Sequence, residues 1–135
     1  MDIRIRHLNG VKFEAETRGH RLICDQPASN GGADEGMTPP ELLLASLGTC
    51  AAFYAAQYLK NHKLSQDGLE VAVKAEKASA PARLGSFRID VMVPGLAAEH
   101  EAGILRAVNA CLIKNTLAAP PAIETVLHTH QLAHA

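Results

Sequence analysis

The chain has 135 residues, enough for one domain with a hydrophobic core of its own and little surface to spare. Its 13 Lys and Arg balance 14 Asp and Glu, so there is no general attraction to nucleic acid, anionic membranes or acidic partners. The opening Met-Asp-Ile-Arg-Ile-Arg-His alternates charged with apolar side chains, which argues against a signal peptide, and no run is read as membrane-spanning. Three cysteines without framework spacing fit a reducing compartment, so the expectation is a cytoplasmic protein in which any disulfide is transient or catalytic.

In chain order, Ile3 and Ile5 alternate with Arg4 and Arg6, and Val11, Phe13 and Ala15 alternate with Lys12, Glu14 and Glu16. Period-two alternation predicts two half-buried strands, and Asn9-Gly10 between them suits a tight hairpin that pairs basic with acidic residues. A third strand is expected over 20–25, followed by a polar, flexible loop from Pro27 through Gly31, Gly32 and Gly36. Thr38-Pro39-Pro40-Glu41 is a helix start: Thr38 caps, Pro39 needs no amide hydrogen, and Glu41 completes a capping box. The helix is expected to reach about His62, with Leu43, Leu47, Cys50, Tyr54 and Tyr58 as its apolar stripe. Its many alanines invite the close approach of another helix.

Leu69 to Glu76 and Ser86 to Val93 again alternate, predicting two strands paired antiparallel across Pro81. From Ala97 to about Leu117 a second amphipathic helix is expected, with Ile104, Leu105, Val108, Cys111 and Leu112 on one face. Pro120-Pro121 ends it, and 123–127 is read as a final edge strand before a flexible tail, 128–135.

Cys50 and Cys111 each sit on the apolar stripe of a predicted helix, so two thiols point toward one interior. A thiol reacts as thiolate, so a working Cys50 needs a source of positive potential beyond its own distant helix N-terminus. Its thiolate can then attack a peroxide O–O bond, leaving a sulfenic acid for Cys111 to condense with. The alternative is that both are buried small hydrophobes. Cys24 is assigned no role. His128, His130 and His134 are read as a solvated tail, with no metal expected; the glycines at 31, 32 and 36 match no nucleotide-binding pattern, and Ser46 lacks a nucleophile elbow.

The assembled order is a hairpin, an Asp25-Gln26-Pro27 loop with two glycines, the run Thr38-Pro39-Pro40-Glu41-Leu42-Leu43-Leu44-Ala45-Ser46-Leu47-Gly48-Thr49-Cys50, and later Cys111 ahead of Asn115-Thr116-Leu117. This resembles the OsmC/Ohr family, the osmotically inducible and organic-hydroperoxide-resistance proteins, as a divergent OsmC-like branch spanning residues 1–135 as one domain. The resemblance implies an α+β fold in which antiparallel sheets wrap two long central helices of an intertwined homodimer, with active sites at the subunit interface. It further implies reduction of small organic hydroperoxides in oxidative-stress defence, with Cys50 peroxidatic, Cys111 resolving, a lipoyl-type dithiol resetting the pair, and no cofactor. A competing reading is a non-catalytic OsmC-like dimer that binds a small hydrophobic ligand at the subunit interface. In the hydroperoxide-resistance branch a glutamate and a hairpin arginine activate the first cysteine; those positions are Pro40 and Asn9 here, and Leu112 stands where a proline often follows the second cysteine. Arg6, Lys12, Arg18 and Arg21 are the candidate substitutes for that arginine.

Overall fold

The structure, a computed structural model, describes residues 1–130. Strands β1 (Arg4–Asn9), β2 (Lys12–Thr17) and β3 (His20–Cys24) form an antiparallel sheet in that order. Gly10 takes the positive φ of 50° that the hairpin turn needs. The register sets Arg6 opposite Glu14, and the guanidinium donates to Glu14 Oε1 at 2.6 Å and to Glu16 Oε2 at 2.9 Å. The expected pairing of basic with acidic residues is therefore present. One face of this sheet, carrying Ile3, Ile5 and Leu22, is open to solvent, and the sheet makes no extensive contact with the helices.

The loop after β3 is pinned rather than loose. Asp25, 1% exposed, accepts hydrogen bonds from the amides of Gln26 at 2.8 Å, Ala33 at 3.3 Å and Glu35 at 3.1 Å, folding residues 26–35 around its carboxylate. Gly32 and Gly36 are required there, since a Cβ would lie 1.9 Å from the Gln26 carbonyl oxygen and 2.2 Å from that of Ile23. Lys12 pairs with Glu35 and fastens the loop to β2.

Helix α1 (Pro39–Asn61) begins with the expected capping box: the Thr38 amide donates to Glu41 Oε1 at 3.0 Å, and the Glu41 amide to Thr38 Oγ1 at 3.4 Å. Strands β4 (Glu70–Ala78) and β5 (Arg83–Met92) form an antiparallel ribbon against α1, followed by α2 (Glu101–Asn109) and α3 (Leu112–Ala118). The core is Ala51, Ala55 and Leu59 of α1 against Ile104 and Val108 of α2, with Val71, Ile89 and Val91 of the ribbon closing it. Gly48 meets Val73 and Gly103 meets the Tyr58 ring closely enough that any side chain would intrude.

Four expectations are corrected. The buried line of α1 is Leu47, Ala51, Ala55 and Leu59, not the bulkier stripe through Tyr54 and Tyr58, because small side chains let neighbours close in and push large ones to the flanks. The helix expected over 97–117 is two, separated at Ala110 and Cys111. Residues 123–127 form no strand: among the described residues no partner strand meets them, and Ile123 and Leu127 are 86% and 87% exposed. Finally, α1 is long and apolar enough to cross a membrane by length and composition, because its alanines count as apolar; 22% of that window is buried within the chain. Of the expected tail, residues 131–135, with His134, lie outside the described residues.

Asp25 supplies a pH test. The Gln26 amide is the largest influence on its carboxyl; burial opposes it, but the Glu35 and Ala33 amides and the Lys12 charge bring the balance below the ordinary carboxylate range. The unfolded chain therefore takes up the proton first, and the contribution is complete above about pH 4 and lost as pH falls through the lower folded value. Urea midpoints followed from pH 7 downward should drop more steeply for the native protein than for Asp25→Asn, which starts lower at neutral pH.

Candidate active site

Cys50 lies three turns into α1, beside the core line on the side that faces α3, and Cys111 is the fully buried residue that immediately precedes α3. The two thiols are close enough that each shifts the acidity of the other. The separation of α2 from α3 makes this possible. Cys111 takes an extended ψ of 128°, so the amides of the first turn of α3 are not consumed by a preceding helix and point at the sulfurs.

The Leu112 and Ile113 amides favour the thiolate of Cys50, and those of Ile113 and Lys114 the thiolate of Cys111, although Cys111 makes no side-chain cap hydrogen bond to its own helix. Burial is the largest single influence on Cys50 and pushes its thiol up; the Cys111 S–H, the Ile113 amide and the Leu112 amide together outweigh it, leaving Cys50 below an ordinary thiol. For Cys111 burial again comes first and raises the thiol, and the Cys50 side chain raises it further against the Lys114 and Ile113 amides. The electrostatics divide the pair: Cys50 is held toward thiolate, Cys111 stays protonated.

The charge that this arrangement supplies comes from backbone dipoles. Of the candidate cations, Arg6 is taken by Glu14 and Glu16, Lys12 by Glu35, and Arg21 by Glu16 at 3.5 Å, while Arg18 is exposed at the β2–β3 turn with a φ of 51°. None is among the groups that shift Cys50 within this chain. Glu41, the nearest acid to the family's glutamate position, is committed to capping Thr38. Cys24 sits in β3, in the other sheet.

An open groove of about 640 Å³ runs between α1, β5 and α3, walled by Leu43, Leu47, Leu84, Phe87 and Leu117, with neither cysteine in its lining. Leu47 stands one helical turn before Cys50, and Lys114 of the same groove stands in the first turn of α3. The sequence contained the two cysteines but no mark of the helix break between Val108 and Leu112, since apolar spacing continues across it. It therefore concealed the amides that act on Cys50.

Paired thiols of unequal acidity and an apolar groove, in an α+β fold, define a class of thiol-bearing small domains. Residues 31–126 match the family model described as OsmC-like protein, and the chain belongs to that family. No curated protein matches it in sequence. Among solved structures it is similar to a protein described as osmotic stress induced and detoxification response from Psychrobacter arcticus (18% identity, TM-score 0.77, covering 84% of this chain and 85% of that one). It is also similar to an OsmC-like protein from Mycoplasma pneumoniae (18% identity, TM-score 0.73, 88% and 87% covered) and to the organic hydroperoxide resistance protein OsmC from Legionella pneumophila (20% identity, TM-score 0.61, 87% and 89% covered). At these identities the likeness is one of fold.

The amide cradle can be tested by Leu112→Pro. Cys111 already has the extended backbone that precedes proline, and a proline fits the first position of α3, so the helix is kept while one N–H to Cys50 is removed. The pH midpoint for alkylation of Cys50 by iodoacetamide should move upward in this variant, with far-ultraviolet circular dichroism unchanged.

Proposed function

We propose that the protein is a thiol-dependent peroxidase that reduces organic hydroperoxides in oxidative-stress defence, with Cys50 as attacking and Cys111 as resolving thiol. The observation that carries this reading is the juxtaposition of two free thiols that act on each other's acidity, in which the more acidic sulfur is the half-exposed one. The Cys50 thiolate attacks the distal peroxide oxygen; an S–O bond forms, the O–O bond breaks, and the alkoxide leaves with a proton as alcohol. Cys111 gives up its proton as its sulfur attacks the sulfenic sulfur; the S–S bond forms, the S–O bond breaks, and the leaving hydroxide takes up that proton as water. An external dithiol of the lipoyl type then reduces the disulfide in two exchange steps and is itself oxidised. Relatives in fold from Legionella pneumophila and Elizabethkingia anophelis are organic hydroperoxide resistance proteins, which supports this direction.

The proposal includes one domain over 1–135, a cytoplasmic setting where a reducing pool keeps the thiols available, and a homodimer as the working unit. Two surfaces support the dimer: the open apolar face of the β1–β3 sheet, and α1, whose Phe53 is 55% exposed on a helix largely uncovered by its own chain. Light scattering of the purified protein should give twice the mass of the chain, and Ile5→Lys combined with Phe53→Lys should shift it toward the monomer.

A second reading, a non-catalytic dimer that binds a small hydrophobic ligand at the interface, draws on the apolar groove between α1, β5 and α3. Peroxide consumption separates the two. With dihydrolipoamide as reductant, the native protein should turn over cumene hydroperoxide, Cys50→Ser should lose at least 100-fold in rate (on the order of the loss expected for removing a nucleophile), and Cys111→Ser should accumulate a sulfenic acid that dimedone traps. Absence of turnover by the native protein with any organic hydroperoxide leaves the binding reading.

A further inference from the structure

We infer that the Tyr54 phenol is a catalytic residue of the peroxide step: its O–H meets the oxygen that leaves when Cys50 attacks, and gives it a proton. The inference deepens the peroxidase reading and rests on it.

An alkoxide is a poor leaving group, and it departs more readily when an acid stands ready at the oxygen. The residues of α1 within one turn of Cys50, 46–54, include no Asp, Glu, Lys, Arg or His and carry three hydroxyls, on Ser46, Thr49 and Tyr54. Thr49 is spent on its own helix, donating to the Ala45 carbonyl at 2.8 Å. Ser46 stands one turn before Cys50, and helical side chains lean toward the N-terminus, so its short hydroxymethyl group is directed away from the sulfur. The same lean carries Tyr54, one turn after Cys50, back over the turn that holds the thiol, with Cβ atoms at this spacing about 5–6 Å apart. A phenol is also the strongest acid of the three. Glu41 is committed to the helix start and His62 donates to the Tyr58 carbonyl, so neither supplies the proton.

The two tyrosines of α1 are used differently. Tyr58 is engaged: its hydroxyl is bonded to Nδ1 of His100 at 2.9 Å, its ring stacks on His62, and Gly103 closes against it. Tyr54 meets the Phe53 ring edge-on, with centroids 5.4 Å apart, and its hydroxyl has no hydrogen bond among the described residues. No buried side-chain oxygen among those residues is left without a partner, so the hydroxyl of half-buried Tyr54 is open to solvent. Cys50 is half-exposed as well. An uncommitted O–H therefore stands one turn from a reachable sulfur.

In the step itself, the Cys50 thiolate bonds to the distal oxygen, which keeps its hydrogen and becomes the sulfenic hydroxyl. The O–O bond breaks with its electron pair on the proximal oxygen, which takes the phenolic proton and departs as alcohol. Sulfur is oxidised by two electrons and the peroxide reduced by two. The phenolate recovers from solvent the proton that Cys50 released on ionising.

Leaving groups tell a proton donor from a packing residue. Single-turnover consumption of cumene hydroperoxide, whose alkoxide needs the proton, and of peracetic acid, whose acetate does not, is followed with the full-length reduced protein and its Tyr54→Phe variant. The variant should consume cumene hydroperoxide roughly 100-fold more slowly, the lower end of what a positioned acid contributes, and peracetic acid at a rate within about twofold of native. The pH midpoint for iodoacetamide alkylation of Cys50 should stay at its native value, because the acid acts on the oxygen and not on the sulfur. Matching thermal midpoints check that the variant folds. Equal losses with both oxidants, a shifted alkylation midpoint, or no loss with cumene hydroperoxide would overturn the inference and leave the peroxidase reading standing. A native protein that leaves cumene hydroperoxide untouched removes both.

Discussion

Everything at the candidate site follows from one arrangement of backbone: the first turn of α3 presents its free amides to the sulfur of Cys50. Had the chain run as one helix from α2 into α3, those N–H groups would have been spent on the helix's own ladder, and Cys50 would have faced only hydrocarbon and a second thiol. The extended ψ at Cys111 changes the outcome. For that turn to meet Cys50, α1 and α2 must be held at close range, and the alanine line of α1 against Ile104 and Val108 does this.

The same device bears on a site where Asn9 and Pro40 stand at the positions for which the resemblance implies an arginine and a glutamate. Within one chain Arg6 and Arg21 of the β1–β3 sheet are engaged by the carboxylates beside them, and the sheet makes no extensive contact with the helices. What lowers the Cys50 thiol against burial is local: first the Cys111 side chain, then the Ile113 and Leu112 amides. Glu41, one position from the expected acid, serves the helix start instead.

Much of the fold was legible because its signals are local. Period-two alternation marked β1, β2, β4 and β5, Asn9-Gly10 marked the hairpin, and Thr38 to Glu41 marked the start of α1, each to within a few residues. The two cysteines were legible as a pair because both lay on apolar faces. What escaped depended on contacts far apart in sequence. Nothing in the apolar spacing around Cys111 distinguishes a continuous helix from a broken one. The buried phase of α1 was set by how closely β4 and α2 approach, so alanine won over tyrosine. Residues 123–127 had the composition of a strand and no edge to join. The loop after β3 read as loose because its organiser, Asp25, acts through backbone amides up to ten residues away.

Cys111 holds two offices at once: it is the joint from which α3 departs, and it carries the sulfur opposite Cys50. Drawing the two sulfurs into a covalent bond therefore tugs on the hinge of a helix whose later residues, Leu117 and Ala118, form the rim of the apolar groove. In the proposed cycle, oxidation of the pair and the shape of the groove would be linked through α3, which starts at Cys111 and ends on the groove's rim.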